Sequence, residues 1–253
     1  MYQDLPNVCY ECGVKLDRNP LTKEHVPPKC FFPKTDKESL ITVPSCIEHN
    51  SGKSGDDEYL FQMISIQIQA NEKGQDFAVN KTVRSILRNR KLTKNLAETA
   101  TQVYVDENKD GRLKPTFAFE YDAERIEKSI ISICKGVYFY EFHKVFSGSI
   151  RTYNEFQFSL DNDSIERNQE FENMRNLIRR NFSNVEKKGL NQEVFYYQIM
   201  THPRNIEADI CIRLCFYGGI SIIAILKKHK IFRPKLITTA LKSIHYSSPR
   251  GAV

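Results

Sequence analysis

The spacing of apolar positions changes character along the chain. From residue 58 onward it is helical. Tyr59, Leu60, Met63, Ile64, Ile66 and Ile68 begin one helix, and the polar stretch from Asn71 to Gln75 breaks it. Phe77, Val79, Val83, Ile86 and Leu87 mark a second helix, with Arg84, Arg88, Arg90 and Lys91 on its other side. The period then shortens to two. Residues 102–106 and 116–120 alternate, and Asn108-Lys109-Asp110-Gly111 between them reads as a turn, which predicts a strand–turn–strand unit. Asp122 to Tyr140 reads as a long helix opened by an acidic turn, residues 155–160 as a short strand, and residues 165–181 as a polar helix. Three more strands are expected at 193–200, 209–217 and 220–226, with Gly218-Gly219 as the turn between the last two. After residue 233 the chain is basic and reads as a loosely packed helix.

The first 60 residues follow neither period. They are rich in Cys, His, Pro and Gly, as in a small module organised by metal rather than by a hydrophobic face. The expected class is therefore α+β: an N-terminal module over residues 1–60, followed by a mixed helix and antiparallel-strand region over 61–253.

Composition narrows the classes of function. The chain has 253 residues, 40% hydrophobic and 27% charged, with a net charge of +6, as in a water-soluble protein able to meet nucleic acid. The longest apolar run, Ile220 to Leu226, is far short of the roughly 20 residues that span a bilayer, so no membrane partner is expected. The N-terminus shows no basic segment followed by an apolar one, and the expected location is the cytoplasm. Four of the seven cysteines fall within the first 46 residues, and in a reducing compartment such clustering points to metal rather than disulfides.

Cys9 and Cys12 form one C-x-x-C pair, and Cys46 and His49 repeat that spacing. Two thiolates on a tight turn can face one tetrahedral ion, and thiolates joined by an imidazole suit Zn2+. Cys30 is an alternative fourth ligand in place of His49. Elsewhere Cys211 and Cys215 read as small buried hydrophobes on one strand face, and His143 and His202 as structural or exposed.

Between the two ligand pairs lies Glu24-His25-Val26-Pro27-Pro28, and Asn50 follows His49 directly, with Lys53 three residues on. This arrangement resembles the HNH endonucleases over residues 9 to 60. The resemblance implies a ββα-metal fold stapled by structural zinc. It implies His25 as the general base, with Glu24 and Asn50 as ligands of a catalytic Mg2+ or Mn2+. An imidazole has an ordinary pKa of about 6.5 and so accepts a proton near neutrality. Adjacent strand residues point to opposite faces, so Glu24 and His25 serve one site only if the backbone bends there. The family's middle residue, usually Asn, falls near Ser39. Lys53 reads either as a phosphate contact or as a solvated helix residue, and Asp56, Asp57 and Glu58 as exposed acids near a helix start or as further metal ligands.

The function expected from this resemblance is a metal-dependent DNA endonuclease or nickase, in phage defence or restriction, with RNA as a substrate left open. The alternative is a zinc-organised module that binds nucleic acid or protein without cutting. Lys53, Arg84, Arg88, Arg90 and Lys91, with Lys94 beside them, are the expected nucleic-acid contacts. Arg175, Arg179 and Arg180 raise the same reading, and the C-terminal region is expected to select substrate or dock a protein partner.

Overall fold

The computed structural model describes residues 5–17, 22–33, 40–67, 69–105, 111–154, 165–201 and 209–228. Ser39, His202, the turn around Asn108, the strand expected at 155–160 and the tail after 233 lie outside the described residues, as does the Arg175 side chain.

The chain is α+β. The N-terminal region folds as a β-hairpin of β1 (Thr22–His25) and β2 (Thr42–Ser45), antiparallel, with Glu24 opposite Val43 and His25 opposite Thr42. A four-residue helix, α1 (Ile47–Asn50), and a 3-10 turn follow, then α2 (Ser54–Ser65). The helix expected from residue 58 thus starts a full turn earlier, with Asp56 and Asp57 in its first turn, where acids suit the helix dipole.

The break expected over residues 71–75 is shorter than the polar residues suggest. Asn71 is itself a cap: its side chain accepts the Gly74 backbone N–H at 3.0 Å and starts α3 (Glu72–Phe77). The second expected helix is also divided. A π-helical turn at Ala78–Thr82 leads into α4 (Val83–Arg88), and Asn89 then leaves helical geometry and caps α5 (Arg90–Thr99) by accepting from Leu92 N–H at 3.1 Å. Arg90 and Lys91 therefore belong to a different helix from Arg84 and Arg88.

The strands expected at 102–106 and 116–120 form an antiparallel pair one and two residues earlier, as β3 (Thr101–Val105) and β4 (Lys114–Ala118). Asp122 caps α6 (Ala123–Phe142), and α7 spans Ile165–Phe182. His143 ends α6 in a left-handed conformation on the surface, in keeping with a structural reading.

A four-stranded antiparallel sheet completes the fold in the order β5-β8-β7-β6, from β5 (Gly148–Asn154), β6 (Phe195–Met200), β7 (Ile210–Phe216) and β8 (Ile220–Lys228). The three C-terminal strands lie within two residues of their expected bounds, and β8 is buried on both faces over most of its length, as its apolar run implies. Tyr217 and Gly218 both have positive φ in the β7–β8 turn, so the turn begins one residue before the glycine pair.

One hydrophobic cluster runs across residue 60. It includes Val26, Phe31, Val43, Leu60, Ile130, Leu214 and Ile222. Phe31 packs its ring 5.5 Å from Phe61 and 5.0 Å from Phe216, and the Tyr217 hydroxyl donates to the Phe31 carbonyl at 2.9 Å. A Cβ at Gly136 would stand 2.6 Å from a Val26 methyl, so α6 lies directly against the exit of β1. Among the described residues, no helix is long and apolar enough to cross a membrane.

Candidate metal centre and cleft

Cys9, Cys12, Cys46 and His49 converge from two turns. Their ligand atoms all lie within 4.8 Å of one another, with His49 Nδ1 3.1 Å from Cys46 Sγ and 3.8 Å from Cys9 Sγ. A tetrahedral zinc at the usual Zn–S length of about 2.3 Å has edges of about 3.8 Å. The four side chains can therefore hold a metal ion, and three thiols with one imidazole are compatible with structural zinc. His49 rather than Cys30 completes the set. The Cys30 thiol instead lies 3.7 Å from the Asp57 carbonyl, pushed up to about 12 by burial.

The backbone prepares the thiolates unequally. Burial works against an ionised Cys9, but N–H groups of Cys12, Cys46 and Glu11 outweigh it and hold Cys9 below the ordinary thiol value. Cys12 is pushed up to about 11, first by loss of solvent and then by the charge of the neighbouring cysteines.

The two residues inside the C-x-x-C turn anchor it to α6. The Tyr10 hydroxyl is 2.6 Å from Ser132 Oγ in a buried contact. Glu11 accepts from Ser132 at 2.9 Å and from Lys135 at 3.0 Å. Burial raises the Glu11 carboxyl, yet Lys135 brings it net below its usual value.

A cleft of about 660 Å3 reaches Asn50, the residue that follows the cluster's His49 on α1. It is lined by Glu24, His25 and Asn50, the three residues expected to act together, and by Arg88 from α4. Glu24 and His25 both reach it although they are neighbours on β1. The Asn50 side-chain amide reaches the Lys23 carbonyl at 3.4 Å and so ties the end of α1 to β1.

Lys53 behaves as neither expected alternative. It is buried, with its ammonium 2.7 Å from Glu24 Oε1 and 2.7 Å from Asp57 Oδ2, and is neither solvated nor presented to a ligand. Lysine enters a core only when paired, and this pairing explains its burial. Asp57, expected as an exposed acid, is buried with it. Burial pushes Glu24 up to about 7 against the attraction of Lys53, and raises Asp57 as well. Lys53 rises above its usual value because the two carboxylates outweigh its loss of solvent. Asp56 is half-buried and pairs with Arg125 at 2.7 Å and Lys128 at 3.6 Å, whereas Glu58 remains exposed.

Of the basic residues singled out in the sequence, Arg88 lines the cleft, while Arg84, Arg90 and Lys91 are exposed and do not line it. Lys29, Lys81 and Ser85 line it without having been anticipated. Lys81, Ser85 and Arg88 stand at i, i+4 and i+7, one helical face, and that spacing was available in the sequence. The Lys81 ammonium sits 4.6 Å from the Phe61 ring centre and donates to the Cys30 carbonyl at 2.9 Å.

Comparison with known proteins gives no match. No family model, no curated protein and no solved structure corresponds to this chain.

Cys211 and Cys215 stand on one face of β7, Cys215 buried and Cys211 half-buried against Phe182 and Ile223, as small hydrophobes would be.

Proposed function

We propose that the chain is a metal-dependent HNH-type endonuclease or nickase acting on DNA, with zinc in the Cys9, Cys12, Cys46 and His49 cluster stapling a ββα module. The observation that carries this reading is the gathering of Glu24, His25 and Asn50 around one cleft, with Asn50 directly after the cluster's His49 on α1. The order β1, β2 and then helix supports it as well.

His25 takes a proton from a water molecule in the cleft, and the resulting hydroxide attacks the phosphorus of a phosphodiester. The P–O bond to the leaving sugar oxygen then breaks. Glu24 and Asn50 supply oxygen donors of the hard kind that Mg2+ and Mn2+ prefer. When bound, such an ion supplies charge stabilisation at the phosphate. Arg88 and Lys29 at the cleft add positive charge that draws in the DNA backbone.

The test is cleavage of supercoiled plasmid by the wild type and His25→Ala, with Mg2+ or Mn2+ and then with EDTA. Nicking or linearisation lost both in the variant and in EDTA supports the reading; equal cutting by the two proteins removes His25 from the role of base. One observation favours a second reading, a zinc-organised binding module without cleavage. Lys53 already holds the Glu24 carboxylate that a catalytic ion needs. DNA binding with no cutting under any metal supports that second reading.

A further inference from the structure

A second cleft, of about 360 Å3, adjoins the first between α2, α4 and the start of α6. Glu58, Ser85 and Arg88 line both clefts and so form their common wall. That wall is tied internally: the Ser85 hydroxyl donates to Glu58 Oε1 at 2.7 Å, and Gln62 Nε2 donates to Ser85 Oγ at 2.7 Å. Arg125 lines the second cleft as well. Its Nε donates to Asp56 at 2.7 Å, its Nη2 donates to the Gly55 carbonyl at 2.9 Å, and its guanidinium lies 4.4 Å from the Tyr59 ring centre. These contacts fix the guanidinium before any ligand arrives, which lowers the entropy cost of binding.

Two guanidiniums in one polar cleft suit a phosphate diester, since planar N–H forks match phosphate oxygens. Because Arg88 belongs to both clefts, one backbone phosphate held there leaves its neighbours in the two clefts. We propose that the second cleft is the subsite for the nucleotide adjoining the scissile phosphate of DNA, with its phosphate between Arg88 and Arg125. The identity of the ligand rests on the nuclease reading above, whereas the test is made on binding.

The experiment measures the affinity of a short fluorescent DNA duplex by anisotropy over a range of KCl, with Ca2+ replacing Mg2+. Wild type, Arg125→Gln and Arg125→Lys are compared, and each is also melted. Arg125→Gln is expected to weaken binding about tenfold and to reduce the slope of log affinity against log salt by about one, the signature of one lost phosphate contact. Arg125→Lys is expected to restore the slope. A lower melting temperature for Arg125→Gln with affinity and slope unchanged makes Arg125 only a clamp on Asp56 and overturns the proposal. Plasmid cutting with an Arg125-independent slope overturns the subsite alone. No cutting, with a slope that still depends on Arg125, overturns the nuclease reading and leaves the subsite standing. A wild type that does not bind the duplex overturns both.

Discussion

Between Cys9 and Asp57 the chain buries charge; between Ile210 and Leu226 it buries hydrocarbon. In the first region Glu24, Lys53 and Asp57 are each no more than 9% exposed. In the second, Ile212, Leu214, Phe216, Ile222 and Leu226 are fully buried. The sheet is held by many interchangeable apolar contacts that depend little on solution conditions. The N-terminal region shares that core through Val26, Phe31 and Val43, but adds a cluster able to hold a metal ion and a buried Glu24–Lys53–Asp57 ion triad. Its order is therefore expected to respond to ions and pH more than the order of the sheet does.

The largest expected effect separates the two regions by metal. Structural zinc in small domains is worth on the order of 10 kcal/mol at neutral pH. Chelation, or Cys46→Ser, is therefore expected to remove amide hydrogen-exchange protection from β1, β2 and α1 while strands β7 and β8 keep most of theirs. Equal loss in both regions would mean that the shared core, not the ion, sets local stability.

Next in size is the contrast between buried charge and buried hydrocarbon. Lys53→Met strands two carboxylates in the interior and is expected to cost about 3–5 kcal/mol. Leu214→Ala, in the sheet, is expected to cost about 2–5 kcal/mol by cavity formation. Denaturant melts across pH tell them apart. The Lys53→Met penalty shrinks in acid, where Glu24 and Asp57 take up protons, whereas the Leu214→Ala penalty does not change with pH.

The smallest effect is the pH response of the wild type. Glu24 is held at about 7 when folded, against an ordinary 4.5. Between those values the folded chain binds more protons than the unfolded one, so this group makes stability fall as pH rises through that window. Asp57 is shifted in the same direction. Glu24→Gln is expected to flatten that part of the stability curve, measured by urea midpoints from pH 4.5 to 7. A slope unchanged by the substitution would remove Glu24 as its source.

What the sequence revealed divides along the same line. Strands β6 to β8 were legible because short apolar runs and a glycine turn are local signals of buried strands. The four candidate zinc ligands were legible through spacing, since coordination chemistry imposes it, and the Glu24, His25 and Asn50 set through the resemblance to HNH endonucleases. The fate of Lys53 was not, because its partner Glu24 lies 29 residues earlier and nothing local records the pairing. Its second partner, Asp57, stands four residues on, and that i, i+4 spacing was the only hint. The edge strand β5 was missed because Gly148–Asn154 is mostly polar and only one of its sides is paired. Arg125 gave no signal either. Its place in the second cleft comes from the packing of α6 on α2, a contact between distant stretches of chain.

One zinc ion held by Cys9, Cys12, Cys46 and His49 is expected to organise the region from which the cleft is built. Native mass spectrometry of the purified chain and of Cys12→Ser tests it most directly. One zinc per wild-type chain is expected, with zinc lost or weakly retained in the variant. A wild type that flies without metal, yet shows full exchange protection in β1 and β2, would contradict it.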